Sequence, residues 1–463
     1  ALRPLDPLLA PRSLALIGAS EGSLWSQNLV ANLRGFGYGG DLHFVHPRER
    51  EQFGAAAVAS VEEIPGEVDC AWVMTGTGTA LDVVESCGRK GVRGMVMLTA
   101  GFRETGQAGA ILERRLVDRC RELGIQLQGP NCLGFVNYQA RLAAYGLLMQ
   151  PPMLAGGIGI VSQSGAMLLQ FHRMAMQRAI GLSYLVSIGN EAMNTSADFL
   201  RHFAEDPQTR VLGALLEGIR EPQAFLQVAD LALQAGKPLV VLKVGRNEAA
   251  VRSASAHTGS LAGADAVVEA VFEQRQVIRV EGMEELLETC ALLATAGWPK
   301  GGRTAVVTTS GGACGLISDL AEGTSIEIPD FKDETKARLA GLLPVFANPQ
   351  NPLDTTGVIV DQPGLLAACV EAVVEEGGFD ALFINTDPPR EPGPNPARTA
   401  GRVEALADTL RRVELFTGVS ATAAAELTDY ARDLLLENRI HFANGLTLGV
   451  KSFAHAIDYG RRR

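Results

Sequence analysis

The chain has 463 residues, 47% of them hydrophobic, and a formal charge of −11 with no basic block. At roughly 100–200 residues per domain the length suggests about three domains, and the charge distribution excludes an electrostatic nucleic-acid footprint. Seven scattered cysteines without a Cys-x-x-Cys pair exclude a disulfide framework and a zinc cluster. With no apolar run near the roughly 18 residues of a membrane span and no basic-then-apolar N-terminus, a cytoplasmic protein touching neither nucleic acid nor membrane is expected.

Short Val- and Ile-rich runs, each followed by a Gly/Ser turn and a helical stretch, begin at LALIGAS (14–20) and continue with the strand ending in FVHPRER (44–50). DCAWVMT (69–75), GMVMLTA (94–100) and IQLQGPN (125–131) follow, alternating with amphipathic stretches such as AILERRLVDRCRELG. This alternation predicts a parallel sheet with helices on both faces. The pattern restarts after QPPMLAGG with GIGIVSQSG, LSYLVSIGN, RVLGALLEG and PLVVLKVG, and again after AGWPKGGR with TAVVTTSGG and FDALFINTD. Three consecutive α/β domains are predicted, 1–150, 151–298 and 299–463, with Pro- and Gly-bearing joints at about 150–157 and 297–303.

The first turn, IGASEGSLW, puts Gly18, Ala19 and Ser20 where a Rossmann fold meets a dinucleotide, but it is not G-x-G-x-x-G. The second strand lacks the acidic residue that would hold an NAD ribose. Pro47, Arg48 and Arg50 stand there instead, offering cations for a ribose phosphate and pointing from NAD to a phosphorylated nucleotide such as coenzyme A. In GPNCLGFVN, Asn131 and Cys132 fall at the carboxyl edge of the sheet; a cofactor contact and an ordinary turn with a small apolar Cys are equally compatible with the spacing.

IGIVSQSGAMLL and TAVVTTSGGACG share one grammar: a buried strand, a Ser/Gly turn, then a helix opening on small residues. Unsatisfied N–H groups at such helix starts favour a phosphate at the carboxyl end of the sheet. Ser and Gly are also ordinary turn residues, so each turn alone has a bland explanation. The sharpest anomaly is His257, inside GRNEAAVRSASAHTGSLAGADA, where small and polar neighbours give a core histidine nothing to pack on. A largely neutral imidazole can attack a phosphoryl group and divide one transfer into two. Glu217, closing RVLGALLEG, is the carboxylate placed by topology to orient it, or simply a strand-end acid.

With these motifs in view the whole chain resembles the nucleoside-diphosphate-forming acyl-CoA synthetases, the superfamily of succinyl-CoA synthetase, and most of all the α subunit of ADP-forming acetate–CoA ligases. The resemblance implies an N-terminal Rossmann-like CoA-binding domain followed by two flavodoxin-like ligase domains. SASAHTGSLAG is similar to the family's phosphohistidine loop, which implies that His257 carries the phosphoryl group and Glu217 pairs with it. VSQSGAM and TTSGGACG resemble its two phosphate-cradling helix starts, implying that role for Ser162, Gln163, Ser164 and Gly165 and for Ser310, Gly311 and Gly312. GPNCLG is similar to the CoA-site turn and ANPQNPLDTTG to a third-domain segment.

Three segments depart from that pattern: EGSLWSQN after the first strand, His46-Pro47 in place of Asn-Pro, and AWVMTGTGT (71–79) in place of a Pro-Ala turn. Nothing resembles the superfamily's ATP-grasp module, so the expected enzyme is an acid–CoA ligase needing an ATP-grasp β subunit or a detached segment. ATP, ADP and Mg²⁺ are expected on that module, coenzyme A on this chain, and no metal on the chain itself. A small carboxylic acid is the expected substrate and an oligomer the expected state. The alternative is a non-catalytic CoA-binding or acyl-CoA-sensing protein of the same fold.

Overall fold

The computed structural model describes residues 4–246, 265–360, 362 and 364–463. These form two compact units, Ala1–Met176 with Gly181–Glu281, and Gln177–Ile180 with Gly282–Arg463.

The first unit holds two sheets. In the first sheet, β1 (Ser13–Ile17), β2 (Asp41–Val45), β3 (Glu51–Gln52), β4 (Ala55–Val58), β5 (Cys70–Val73), β6 (Gly94–Met97) and β7 (Gln126–Gln128) lie in the order β3-β4-β2-β1-β5-β6-β7. All neighbours are parallel except the short β3–β4 pair. β1, β5 and β6 are buried along their whole length, as apolar runs between two layers of helices must be. The helix Gln107–Leu123 ends at Gly124, whose φ of +71° closes the last turn; the Ile125 N–H reaches back to the Cys120 carbonyl at 2.9 Å.

The second sheet contains β8 (Gly134–Asn137), β9 (Leu142–Tyr145), β10 (Ala155–Ser162), β11 (Leu182–Ser187), β12 (Val211–Leu216), β13 (Leu239–Lys243) and β14 (Ile278–Val280), ordered β14-β13-β12-β10-β11-β8-β9. Strands β10 to β14 run parallel, while the β8–β9 hairpin adds antiparallel to β11. The hairpin arises inside the stretch 1–150 expected as the first domain, so the chain enters the second sheet before the expected seam. One apolar core links the sheets, from Leu16, Trp72 and Val96 through Phe135 to Val161 and Val186. Gly134 lets them approach: a Cβ there would lie 1.9 Å from the Trp72 ring, and its φ is +95°.

The second unit is built on a parallel sheet of β15 (Thr304–Thr308), β16 (Leu353–Asp354), β17 (Ala381–Asn385) and β18 (Phe416–Ser420), ordered β16-β15-β17-β18. Two of its helices, Met283–Ala296 and Leu446–Arg462, meet through Thr289–Ser452 and Glu285–His455 contacts of 3.2 and 2.8 Å. The first belongs to this unit although its sequence lies within the stretch 151–298. Residues 177–180 join it too: the buried Arg178 guanidinium faces Glu288 at 3.4 Å and donates to the Phe442 carbonyl. Three parallel α/β sheets in succession bear out the expected fold class.

Candidate functional site

Parallel strands gather ligand-binding groups at their carboxyl ends. In the first unit, the carboxyl ends of β5, β6, β10, β11 and β12 open on a single cavity of about 760 Å³. Thr75, Leu98, Asn131, Gln163, Ser187 and Gly218 come to it from six different segments. The helix Gly165–Gln177 begins at its wall.

The turn leading into that helix is held by its own side chains. The Ser162 hydroxyl donates to the Ser164 carbonyl at 2.9 Å and accepts from the Ser164 N–H at 3.1 Å. Gly165 is required by packing, since a Cβ would sit 2.6 Å from the Leu133 side chain. Gln163 is fully engaged. Its Oε1 accepts from the Glu217 and Gly218 N–H groups, and its Nε2 donates to the Gly218 carbonyl and to Glu191. Its own N–H points at the Leu215 carbonyl. With both amide hydrogens and both lone pairs occupied, Gln163 has no donor left for a phosphate. In this structure the side chain of that expected phosphate ligand clamps the end of β12.

That clamp fixes Glu217. Its N–H is held by Gln163 and its carbonyl accepts from Lys243 Nζ at 2.8 Å. Burial lowers the Lys243 pKa below its usual range. The carboxylate of Glu217 belongs to a half-buried residue at the strand end, where topology put it. His257, its expected partner, lies outside the described residues.

In the second unit the echo read from the sequence recurs in the hydrogen bonds. The Thr308 hydroxyl faces the Ser310 carbonyl at 3.4 Å and accepts from the Ser310 N–H at 3.2 Å, as Ser162 does for Ser164. The helix Gly311–Ala321 opens on Gly311 and Gly312, and a Cβ on Gly311 would meet Asp354 Oδ2 at 2.9 Å.

The expected cofactor residues divide into two groups. Asn131 and Cys132 line the cavity. Asn131 adopts φ +57° and donates to Asn190 Oδ1 at 3.3 Å. Cys132 is buried, its sulphur directed at the Met97 and Gln128 carbonyls, and burial holds its thiol up at about 12. It is a packing group whose backbone borders the site. Gly18, Ala19 and Ser20 follow β1 and Pro47 and Arg48 follow β2, at the paired carboxyl ends of these two strands, and none of the five lines the cavity. Gly18 has φ +80° and its α-carbon abuts Thr75, which does line it. The exposed Arg48 sits in a turn shaped by His46, whose Nδ1 accepts from the Arg48 and Glu49 N–H groups.

The sequence reading did not single out the segment after β11. Gly189, at φ +56°, presses against the Asn131 turn; Asn190 donates to Glu104 at 2.6 Å and to Glu113 at 2.9 Å; Arg220 donates to the Asn190 carbonyl at 2.6 Å. Glu191 is buried, accepting from Gln163 and, at 2.6 Å, from the Ser196 N–H. Burial raises its pKa, opposed by those two bonds. The signal was present in Gly-Asn-Glu immediately after a predicted strand, the position from which the turns after β5, β6, β10 and β12 contribute. Trp25 and Met74, from two of the segments that depart from the family pattern, stand with Leu98 on the cavity's apolar side. No cluster of metal-ligating side chains occurs among the described residues, and no helix among them is long and apolar enough to cross a membrane.

Two family models match the chain: a CoA binding domain over residues 12–138 and a succinyl-CoA ligase like flavodoxin domain over residues 155–293. The chain is 34% identical over 351 residues to the α subunit of ADP-forming acetate–CoA ligase II of Pyrococcus furiosus, an alignment covering 76% of each. It is 37% identical over 355 residues to ADP-forming acetate–CoA ligase I of Archaeoglobus fulgidus, covering 76% of this chain and 51% of that one. The chain thus spans about half the length of several curated relatives it matches. Its fold is similar, with a TM-score of 0.86 and 27% identity over 99% of this chain and 97% of the other, to a Ca. Korarchaeum cryptofilum acetyl-coenzyme A synthetase solved with phosphate and ADP.

Proposed function

The chain belongs to the nucleoside-diphosphate-forming acyl-CoA synthetases, the superfamily of succinyl-CoA synthetase, and on that premise we propose that it is the α-type part of an ADP-forming acid–CoA ligase. The observation carrying this reading is the single cavity at the carboxyl ends of two parallel sheets, where the Ser162–Gly165 helix start and the clamped end of β12 adjoin the Asn131 turn. A phosphoryl group, a carboxylate and a thiol must meet within a few ångströms for this chemistry, and a cavity of about 760 Å³ has the room for that meeting.

In the synthetic direction His257 receives the phosphoryl group from ATP bound on an ATP-grasp β subunit or segment, which also supplies Mg²⁺. The acid's carboxylate attacks phosphorus, the P–N bond to His257 breaks, and an acyl phosphate forms. The CoA thiol then attacks the acyl carbon; its proton is released and inorganic phosphate leaves with the C–O bonding pair. Glu217 orients the imidazole. The N–H groups at the start of Gly165–Gln177 offer preorganised partners for the travelling charge. CoA fits the first domain: Arg48 offers a cation for a phosphate at the end of β2, and Trp25, Met74 and Leu98 offer an apolar wall for its pantetheine arm.

The test runs the reaction backwards without nucleotide. The chain is incubated with labelled inorganic phosphate and a panel of acetyl-, 4-hydroxybutyryl- and feruloyl-CoA, and phosphate is sought on His257 by mass spectrometry. Label that depends on one thioester and vanishes in His257→Asn supports the ligase and names its acid. CoA binding with no label, even after a β subunit is added, favours the sensing protein instead.

A further inference from the structure

A buried carboxylate that the chemistry above does not use stands one hydrogen bond from the residue that fixes Glu217. Glu191 is 3% exposed, and its two oxygens accept from Gln163 Nε2 and the Ser196 N–H. Thr195 caps the same helix, its N–H donating to Asp198 at 2.7 Å in a capping box. The helix therefore has its own cap, and Glu191 is an addition to it.

An amide side chain can be turned end for end with little change of shape, so only its partners decide which end faces where. At Gln163, Oε1 must face the Glu217 and Gly218 N–H groups and Nε2 must face an acceptor. In its ionised form Glu191 reinforces that orientation, which the Gly218 carbonyl also favours, because a carboxylate accepts and never donates. We propose that Glu191 is a positioning residue for phosphoryl transfer: it locks the Gln163 amide, which in turn holds the Glu217–Gly218 backbone and so the carboxylate that orients His257. This inference rests on the ligase reading.

The backbone around Glu191 is itself built to hold it still. The Asn190 N–H donates to the Pro130 carbonyl at 2.9 Å and the Ala192 N–H to the Gly129 carbonyl at 3.1 Å, tying the segment to the turn that carries Asn131. Glu191 adopts φ +49°, which a non-glycine residue holds only when its surroundings fix it.

The decisive experiment is an exchange. In Glu191→Gln, an amide whose oxygen accepts from Ser196 presents NH₂ groups to the NH₂ of Gln163, so Gln163 turns and releases β12. In Gln163→Glu, two carboxylates face one another. In the double variant carrying both changes, the amide at 191 donates to the carboxylate at 163, which again accepts from the Glu217 and Gly218 N–H groups, while the Gly218 carbonyl loses the donor that Gln163 gives it.

Phosphorylation of His257 from the active acyl-CoA of the panel and labelled phosphate is followed by rapid quench, with thermal unfolding recorded for each variant. A charged hydrogen bond lost in each single variant predicts a rate lowered roughly 10- to 100-fold; the exchange, which restores that bond but not the one to the Gly218 carbonyl, is expected to recover part of it. A Glu191→Gln rate within about twofold of wild type, or an exchanged protein as slow as the slower single variant, overturns the inference while leaving the ligase reading intact. Wild type that takes no label with any thioester overturns both.

Discussion

Gly189→Ala tests whether the segment after β11 positions the Asn131 turn by direct contact. A Cβ at 189 would lie 2.4 Å from both the Asn131 and the Pro130 carbonyl oxygens, and the residue sits at φ +56°. Gly124→Ala is the natural control: φ there is +71° and nothing lies within 4 Å of the added carbon. The backbone penalty common to both is roughly 1–2 kcal/mol. At 189 the backbone contact adds an overpacking cost of about 1–3 kcal/mol. Gly189→Ala is therefore expected to lower the melting midpoint of the first unit roughly 1.5 to 4 times as far as the control, in calorimetry of the full chain. Relief of the clash needs the Asn131 turn to move by roughly an ångström, and a displacement of that size near reacting groups costs on the order of 100-fold in rate. CoA affinity by titration calorimetry and the His257 labelling rate should both fall in Gly189→Ala and stay unchanged in Gly124→Ala. Equal destabilisation of the two variants, with CoA bound by Gly189→Ala as by wild type, would refute the reasoning.

His172 is buried, donating from Nε2 to the Gln150 carbonyl and accepting at Nδ1 from the Tyr138 hydroxyl, both at 2.8 Å; burial lowers its pKa below the ordinary imidazole value of 6.5. Between the folded value and 6.5 the unfolded chain binds more protons, so stability rises with pH there and is lost as pH falls through that window. Denaturation midpoints from pH 7.5 down to 5 should show this acid loss in wild type and a shallower one in His172→Gln; parallel curves would refute it. Burial raises the pKa of every cysteine, including the half-buried Cys314 at about 11. With thiolate on the order of one part in a thousand or less at pH 8, a disulfide reagent should label the native chain in minutes at no position, and all seven after unfolding; fast labelling of Cys314 would contradict this. In the second unit, Glu288 accepts from His441 at 2.8 Å and from the Asn444 N–H at 3.2 Å while facing Arg178. Glu288→Ala leaves that guanidinium buried without its anion and should cost about 3–5 kcal/mol, read as a selective fall in the second unit's calorimetric transition; a loss below about 1 kcal/mol would refute the pairing's importance.

Strands with both faces buried announce themselves as continuous apolar runs, and LALI, CAWV, GMVM, VLGALL and LVVLK all form strands where those runs predict them. The β8–β9 hairpin was not legible for the complementary reason. GFVN and LAAY are four-residue segments whose stabilising partner is β11, far along the chain, and such pairing leaves no local period. The capture of Arg178 by the second unit is likewise a long-range matter, decided by Glu288 and Phe442. The placement of Glu217 at a strand end and of the two Ser/Gly turns at helix starts was legible because strand-end position is local information. Gln163 was legible as a site residue but not in its role, since a motif gives the residue type without saying which of its hydrogen-bonding groups are already taken. Glu191 was invisible because its importance lies wholly in residues 163 and 196.

The two turns that echo each other in sequence are not interchangeable in chemistry. Each uses a strand-end hydroxyl to hold the residue two positions on, which leaves the helix start presenting N–H groups. At Gly165 the nearest obstruction is an apolar Leu133 side chain, and the acid of the neighbourhood, Glu191, is withdrawn behind Gln163. At Gly311 the carboxylate of Asp354 stands against the helix start itself, its other oxygen accepting from the Thr356 N–H at 2.8 Å. A carboxylate there already answers the positive end of the helix and repels a second anion. An anion at the Ser310 turn would therefore meet a fixed negative charge, whereas the group nearest to Gly165 is an uncharged Leu133 side chain. An identical backbone device can in this way be given two affinities by one neighbouring side chain, a distinction that the shared Ser/Gly pattern does not carry.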